Sequence, residues 1–197
     1  MPSKKKKKKG RGKAKGGAFE RRICKLLSMW WSDGIRDDIF WRTASSGGRA
    51  TQRAKGNKTT FGQYGDVQAD DPIGQPLIDL CVIELKTGYK KECIFDILDK
   101  VSNNSIYYDW INKLQEEVRC GHAPYWILIH KRDRRKPVIV IPNKLYSKIK
   151  IPPRRRVRIM DHDRAAVNIS CAVMLLEDFL SHVRPKQIKR WAKGSKL

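Results

Sequence analysis

Apolar residues along the chain switch between helical and strand periodicities. Phe19, Ile23, Leu26, Leu27, Trp30 and Trp31 recur at helical spacing and predict an amphipathic helix over 17–31, ended by Asp33-Gly34. Ile39-Phe40-Trp41-Arg42-Thr43 reads as a strand running into the small-residue turn Ala44-Ser45-Ser46-Gly47-Gly48. Residues 47–65 are rich in Gly, Thr and basic side chains and predict a long loop. A short strand over 64–69 precedes Asp70-Asp71-Pro72-Ile73-Gly74-Gln75-Pro76, which carries turn chemistry. The mostly apolar run 77–85 suits a central strand, and the two strands together predict an antiparallel hairpin.

Residues 92–119 read as mostly helical, with an interruption near Asn103-Asn104. Tyr125-Trp126-Ile127-Leu128-Ile129 and Val138-Ile139-Val140-Ile141 are two further strands joined by a basic turn over 130–136. Past Pro152-Pro153, residues 154–160 look strand-like and a last helix lies near 175–183. The order α-β-β-β-α-β-β predicts an α/β fold, a mixed sheet flanked by helices, with no internal repeat.

Charge adds a partner to this outline. In 197 residues, 43 Lys and Arg face 20 Asp and Glu, a formal net charge of +23. Nine basic residues and no acid fall in 1–15, which leaves the remainder at +14. A run of six lysines repels itself and does not fold alone, so 1–15 reads as a disordered polybasic tail, an electrostatic arm or localisation signal. The alternative for this tail is plain solubilisation. From Arg184 onward six more basic residues occur without an acid. Positive fields of this size serve polyanions, nucleic acid before anionic membrane. Hydrophobic residues at 40% supply a core, which excludes a wholly disordered basic peptide.

No secretory signal is expected, and no apolar stretch approaches the roughly 18 residues of a membrane helix. The expected setting is intracellular and DNA-associated, the nucleus included. Cys24, Cys81, Cys93, Cys120 and Cys171 are widely spaced, which argues against a disulfide framework or a structural zinc site. No small-molecule cofactor is expected.

The chemistry gathers in Gly65-Asp66-Val67 and Ile83-Glu84-Leu85-Lys86. Side chains alternate along a strand, so Glu84 and Lys86 share one face. If the hairpin forms, Asp66 arrives beside them. Two carboxylates suit oxygen-seeking Mg²⁺ or Mn²⁺, and an ion held there acidifies a water and stabilises charge on a phosphodiester. The competing reading is an edge-strand ion pair of Glu84 with Lys86 or Lys90. Asp161-His162-Asp163 reads as a polar loop rather than a second metal cluster.

This stretch resembles the PD-(D/E)xK nuclease superfamily and, within it, the archaeal-type Holliday junction resolvases. Lys15-Gly16-Gly17-Ala18-Phe19-Glu20-Arg21-Arg22 is similar to that family's opening helix, and Arg42-Thr43-Ala44-Ser45-Ser46-Gly47 to its strand-and-turn. Asp66, Glu84 and Lys86 follow in order. Gly65, not Pro, precedes the Asp, the loop over 47–65 is longer than the pattern, and the resemblance lapses beyond Lys131.

The resemblance implies a restriction-endonuclease-like core over 16–142, with 143–197 a basic extension packed on it. It implies that Asp66 and Glu84 ligate Mg²⁺ or Mn²⁺, that Lys86 assists the attacking water, and that Glu20 joins as ligand or support. Ser46 would sit near the scissile phosphate and Arg42 would bind phosphate or cap its strand. Arg49, Arg53, Lys55 and Lys58 would grip DNA backbone, which positions a duplex without reading its sequence. Gln115 or Lys113 would approach the site from the long helix.

The implied activity is a Mg²⁺-dependent, structure-selective endodeoxyribonuclease that resolves Holliday junctions as a homodimer. A monomeric nuclease acting on flaps, nicks or ends, and a non-catalytic DNA-binding protein of the same fold, remain as alternatives. Charge alone does not separate DNA from RNA.

Overall fold

In the computed structural model, the described residues are 11–43, 64–99, 105–121, 123–149, 156–164 and 167–194. Helix α1 (Arg11–Trp31) buries Phe19, Ile23, Leu27 and Trp31, four residues apart, on a single stripe. Leu26, which the periodicity places in that stripe, is exposed. The helix starts before the predicted 17, so 11–15, expected in the disordered tail, are helical; residues 1–10 lie outside the described residues. Asp33 and Gly34, both at positive φ, turn the chain away as predicted.

Strands β1 (Phe40–Arg42) and β2 (Val67–Ala69) pair antiparallel with each other as a separate two-stranded sheet. The hairpin expected between 64–69 and 77–85 is therefore not formed. After a 3₁₀ turn over Pro72–Gly74, residues Gln75–Leu80 form helix α2 and only Cys81–Thr87 form strand β3. Pro76 in the first turn favours the helix, and Leu77 and Leu80, three apart, both face the core. Asp79, expected on a strand, lies on this helix and accepts a bond from Gln75.

Helices α3 (Asp96–Asp99) and α4 (Ile106–Gly121) cross over to strand β4 (Tyr125–Lys131), which pairs with β3 in parallel. Strand β5 (Val138–Pro142) returns antiparallel to β4, as the basic turn predicted. Helix α5 (Asn143–Tyr146) follows.

Strands β6 (Arg156–Arg164) and β7 (Val167–Leu175) complete a five-stranded sheet of order β3-β4-β5-β7-β6. The segment past 142, expected as an addition to the core, thus supplies two of its strands. Asp161-His162-Asp163, read as a loop, falls within β6. Helices α6 (Leu176–His182) and α7 (Pro185–Lys193) end the fold. The basic stretch after Arg184 hides an amphipathic helix whose Pro185, Ile188 and Ala192 are buried.

Alternation along the sheet divides the core in two. Cys81, Ile83, Leu85, Ile127, Ile129, Ile139 and Met174 join α1, α2, α6 and α7 on one face. Val82, Trp126, Leu128, Val140 and Val173 meet α3 and α4 on the other. Each buried aliphatic side chain contributes about 1.5–3 kcal/mol, so the sheet is held firmly from both sides. Trp31, Trp110 and Trp126 are buried, and Trp30 packs partly buried against the core. All five cysteines are free.

Candidate active site

Strand β3 is the edge strand of the five-stranded sheet. By parity Glu84 and Lys86 point into the α4 layer. Glu84 is only 2% exposed. An unpaired carboxylate at that depth is strongly unfavourable. Its Oε1 is paired with the Lys86 ammonium and lies 3.3 Å from Nζ of Lys113, which reaches down from α4. Lys86 also lies 6.0 Å from the Trp110 ring centroid, over the same helix.

Asp66 enters from the open edge. Its backbone N–H donates to the Ile83 carbonyl at 2.7 Å, and its Oδ2 accepts the Leu85 N–H at 2.8 Å. These bonds hold the carboxylate against the backbone on both sides of Glu84. Gly65 makes the approach possible: its φ is +73°, and a Cβ there would lie 2.5 Å from the Ile83 carbonyl oxygen. The departure from Pro before the Asp is thus a steric requirement of this chain.

The α1 layer closes the corner from the opposite face. Glu20 is paired with Arg42 of β1, with Nε 3.2 Å from Oε2. Burial, then the charges of Glu20 and Asp66, push the Cys24 thiol up to about 12. Both carboxylates therefore act on the same thiol. Ser28, fully buried, donates to the Cys24 carbonyl and accepts the Phe40 N–H, both at 2.9 Å, and so anchors β1 to α1. Thr43 N–H donates to the Asp66 carbonyl at 3.0 Å. Ser46, Arg49, Arg53, Lys55 and Lys58 lie outside the described residues.

Of the two α4 residues expected to approach, Lys113 reaches Glu84. Burial disfavours its charge, but Glu84 and Glu117 outweigh burial and hold it above the usual lysine range. Glu117, one turn on, lies 3.3 Å from the same ammonium. Burial pushes the Glu117 carboxyl up against the attraction of Lys113, with Glu84 adding to the rise. Sequence reading passed over Glu117, although its i,i+4 spacing from Lys113 puts both on one helix face.

A divalent, oxygen-seeking cation fits Asp66 and Glu84 by donor chemistry, because Mg²⁺ settles for one or two carboxylates and keeps its waters. Among the described residues no three His, Cys, Asp or Glu side chains converge as a metal site, and Glu20 is paired with Arg42. The fit is therefore that of a two-carboxylate site.

A family model described as "Phage putative PDDEXK endonuclease" matches residues 11–190. The chain belongs to this family. The PD-(D/E)xK superfamily expected from the motif is thereby established, and the α/β sheet flanked by helices is consistent with its restriction-endonuclease-like fold. The family's description as endonucleases supports nucleic acid hydrolysis as its chemistry. No curated protein and no solved structure matches the chain. Among the described residues no helix is long and apolar enough to cross a membrane.

Proposed function

We propose that this protein is a Mg²⁺- or Mn²⁺-dependent endodeoxyribonuclease that cuts branched DNA, resolving four-way junctions as a homodimer. The observation that carries the reading is the convergence of Asp66, Glu84 and Lys86 at one sheet edge, inside a chain of this nuclease family. Asp66 and Glu84 would hold the cation, with Glu20 supporting from α1. When bound, the ion supplies positive charge against the phosphodiester and acidity for the attacking water. Lys86, on the same strand face as Glu84, orients that water, and Lys113 offsets charge that develops on the phosphate. Arg42, beside Glu20, is available to a backbone phosphate.

Binding to the nucleic-acid backbone without a sequence code is supported by the net charge of +23. Phosphate contacts recognise shape and position without a sequence code. Two symmetric cuts in a junction require two sites, hence the dimer.

The test is incubation of the protein with a labelled immobile four-way junction and a matched linear duplex, in Mg²⁺ or EDTA. Paired symmetric nicks in the junction alone, dependent on Mg²⁺, are expected. Equal cutting of the duplex would reduce the activity to a general nuclease. Tight binding without cleavage would replace it with a DNA-binding role.

A further inference from the structure

Glu117 has no part in the scheme above, yet it is built into the same corner. Its side chain is 11% exposed, and its Oε2 is buried without a hydrogen-bond partner among the described residues. A carboxylate at that depth, steadied by Lys113 and the Gly65 backbone N–H but with Oε2 left without a partner, is costly to keep and calls for a reason. The Lys113 ammonium lies 3.3 Å from Oε1 of Glu117 and 3.3 Å from Oε1 of Glu84. A cation midway between two carboxylates passes from one to the other by a small rotamer change.

A divalent ion at Glu84 would repel the ammoniums of Lys86 and Lys113 that now neutralise it. Lys86 has the Trp110 face and solvent to turn toward. Lys113 has Glu117. Resting on the metal assignment made above, we propose that Glu117 is a positioning residue that takes Lys113 from Glu84 when the cation binds. The transfer clears the ligand oxygen while keeping the lysine's charge beside the phosphate. Without Glu117, Lys113 would compete with the metal for Glu84.

The experiment is Mn²⁺ titration of the full-length, DNA-free protein, followed by the electron paramagnetic resonance signal of free Mn²⁺. Glu117→Gln is expected to weaken binding about tenfold, within the coupling range of residues in contact. Lys113→Met is expected to tighten it, and Glu117→Gln is expected to change nothing further in the Lys113→Met background. Glu117→Asp, which keeps the charge but shortens the reach, is expected to lose affinity like Gln, and melting temperatures check that each variant is folded.

Unchanged binding by Glu117→Gln would overturn the proposal. So would an equal loss with and without Lys113, which would mark a general field effect. If the Asp66→Asn, Glu84→Gln double variant binds Mn²⁺ as well as the wild type, the metal assignment itself fails, and the handover with it.

Discussion

The Leu85 N–H donates to Oδ2 of Asp66 at 2.8 Å, so a catalytic candidate is fixed by the backbone of the strand that carries its partner, Glu84. This bond uses the free edge of β3, which no sixth strand among the described residues covers. An edge normally invites unwanted pairing. Here it seats a carboxylate.

Replacing Asp66 with Asn or Glu84 with Gln is expected to leave DNA affinity largely intact and to lower cleavage by about 10²-fold or more, since each removes a charge that would hold the cation. Filter binding and gel-based cleavage on one junction measure the two effects. Cleavage at the wild-type rate by either variant would show the metal site to be misassigned.

Gly65→Ala is expected to destabilise the fold by at least about 1–2 kcal/mol, the cost of a left-handed backbone for a residue with a Cβ. The clash with the Ile83 carbonyl adds to it and pushes Asp66 off the edge. Activity should therefore fall further than stability, which urea melts and single-turnover cleavage can separate. An alanine variant with full activity would mean that Asp66 tolerates displacement.

Ser28→Ala leaves the Phe40 N–H buried without its acceptor. The expected loss is about 1–3 kcal/mol. Chemical denaturation reads it directly. The Glu20–Arg42 pair depends on the same α1–β1 junction, so salt sensitivity of cleavage should change alongside.

His130 is 1% exposed, its Nδ1 2.6 Å from the Tyr107 hydroxyl, and burial first of all holds its pKa down to about 4. An unfolded histidine titrates near 6.5, so between those values the unfolded chain binds the extra proton. Stability is then full above about pH 6.5 and falls as pH drops toward 4, by up to about 3 kcal/mol from this group. The paired variant Tyr107→Phe, His130→Leu should show a flatter melting temperature over that window. An unchanged slope would assign the acid sensitivity to carboxylates.

Local pattern made much of this protein legible. The α1 stripe, the strands around Trp126 and Val140, and the shared face of Glu84 and Lys86 follow from periods of 3.6 and 2, which need only neighbouring residues. Helix α7 escaped notice because Lys186, Lys189, Arg190 and Lys193 outweigh Ile188 and Ala192 in composition, although not in spacing. The run 77–85 begins in helix α2 and not in a strand because a short apolar stretch fits helix and strand equally.

The sequence by itself determined the chemistry available: the order Glu20, Arg42, Asp66, Glu84, Lys86, the parity of the last two, and the strong positive charge. Tertiary structure alone decided which strands pair, that Asp66 docks on β3 by backbone bonds without forming a hairpin, and that Lys113 and Glu117 complete the corner. Partner choice rests on contacts between residues tens of positions apart. Their free energy comes from burying both faces of the sheet at once, and no local window contains it.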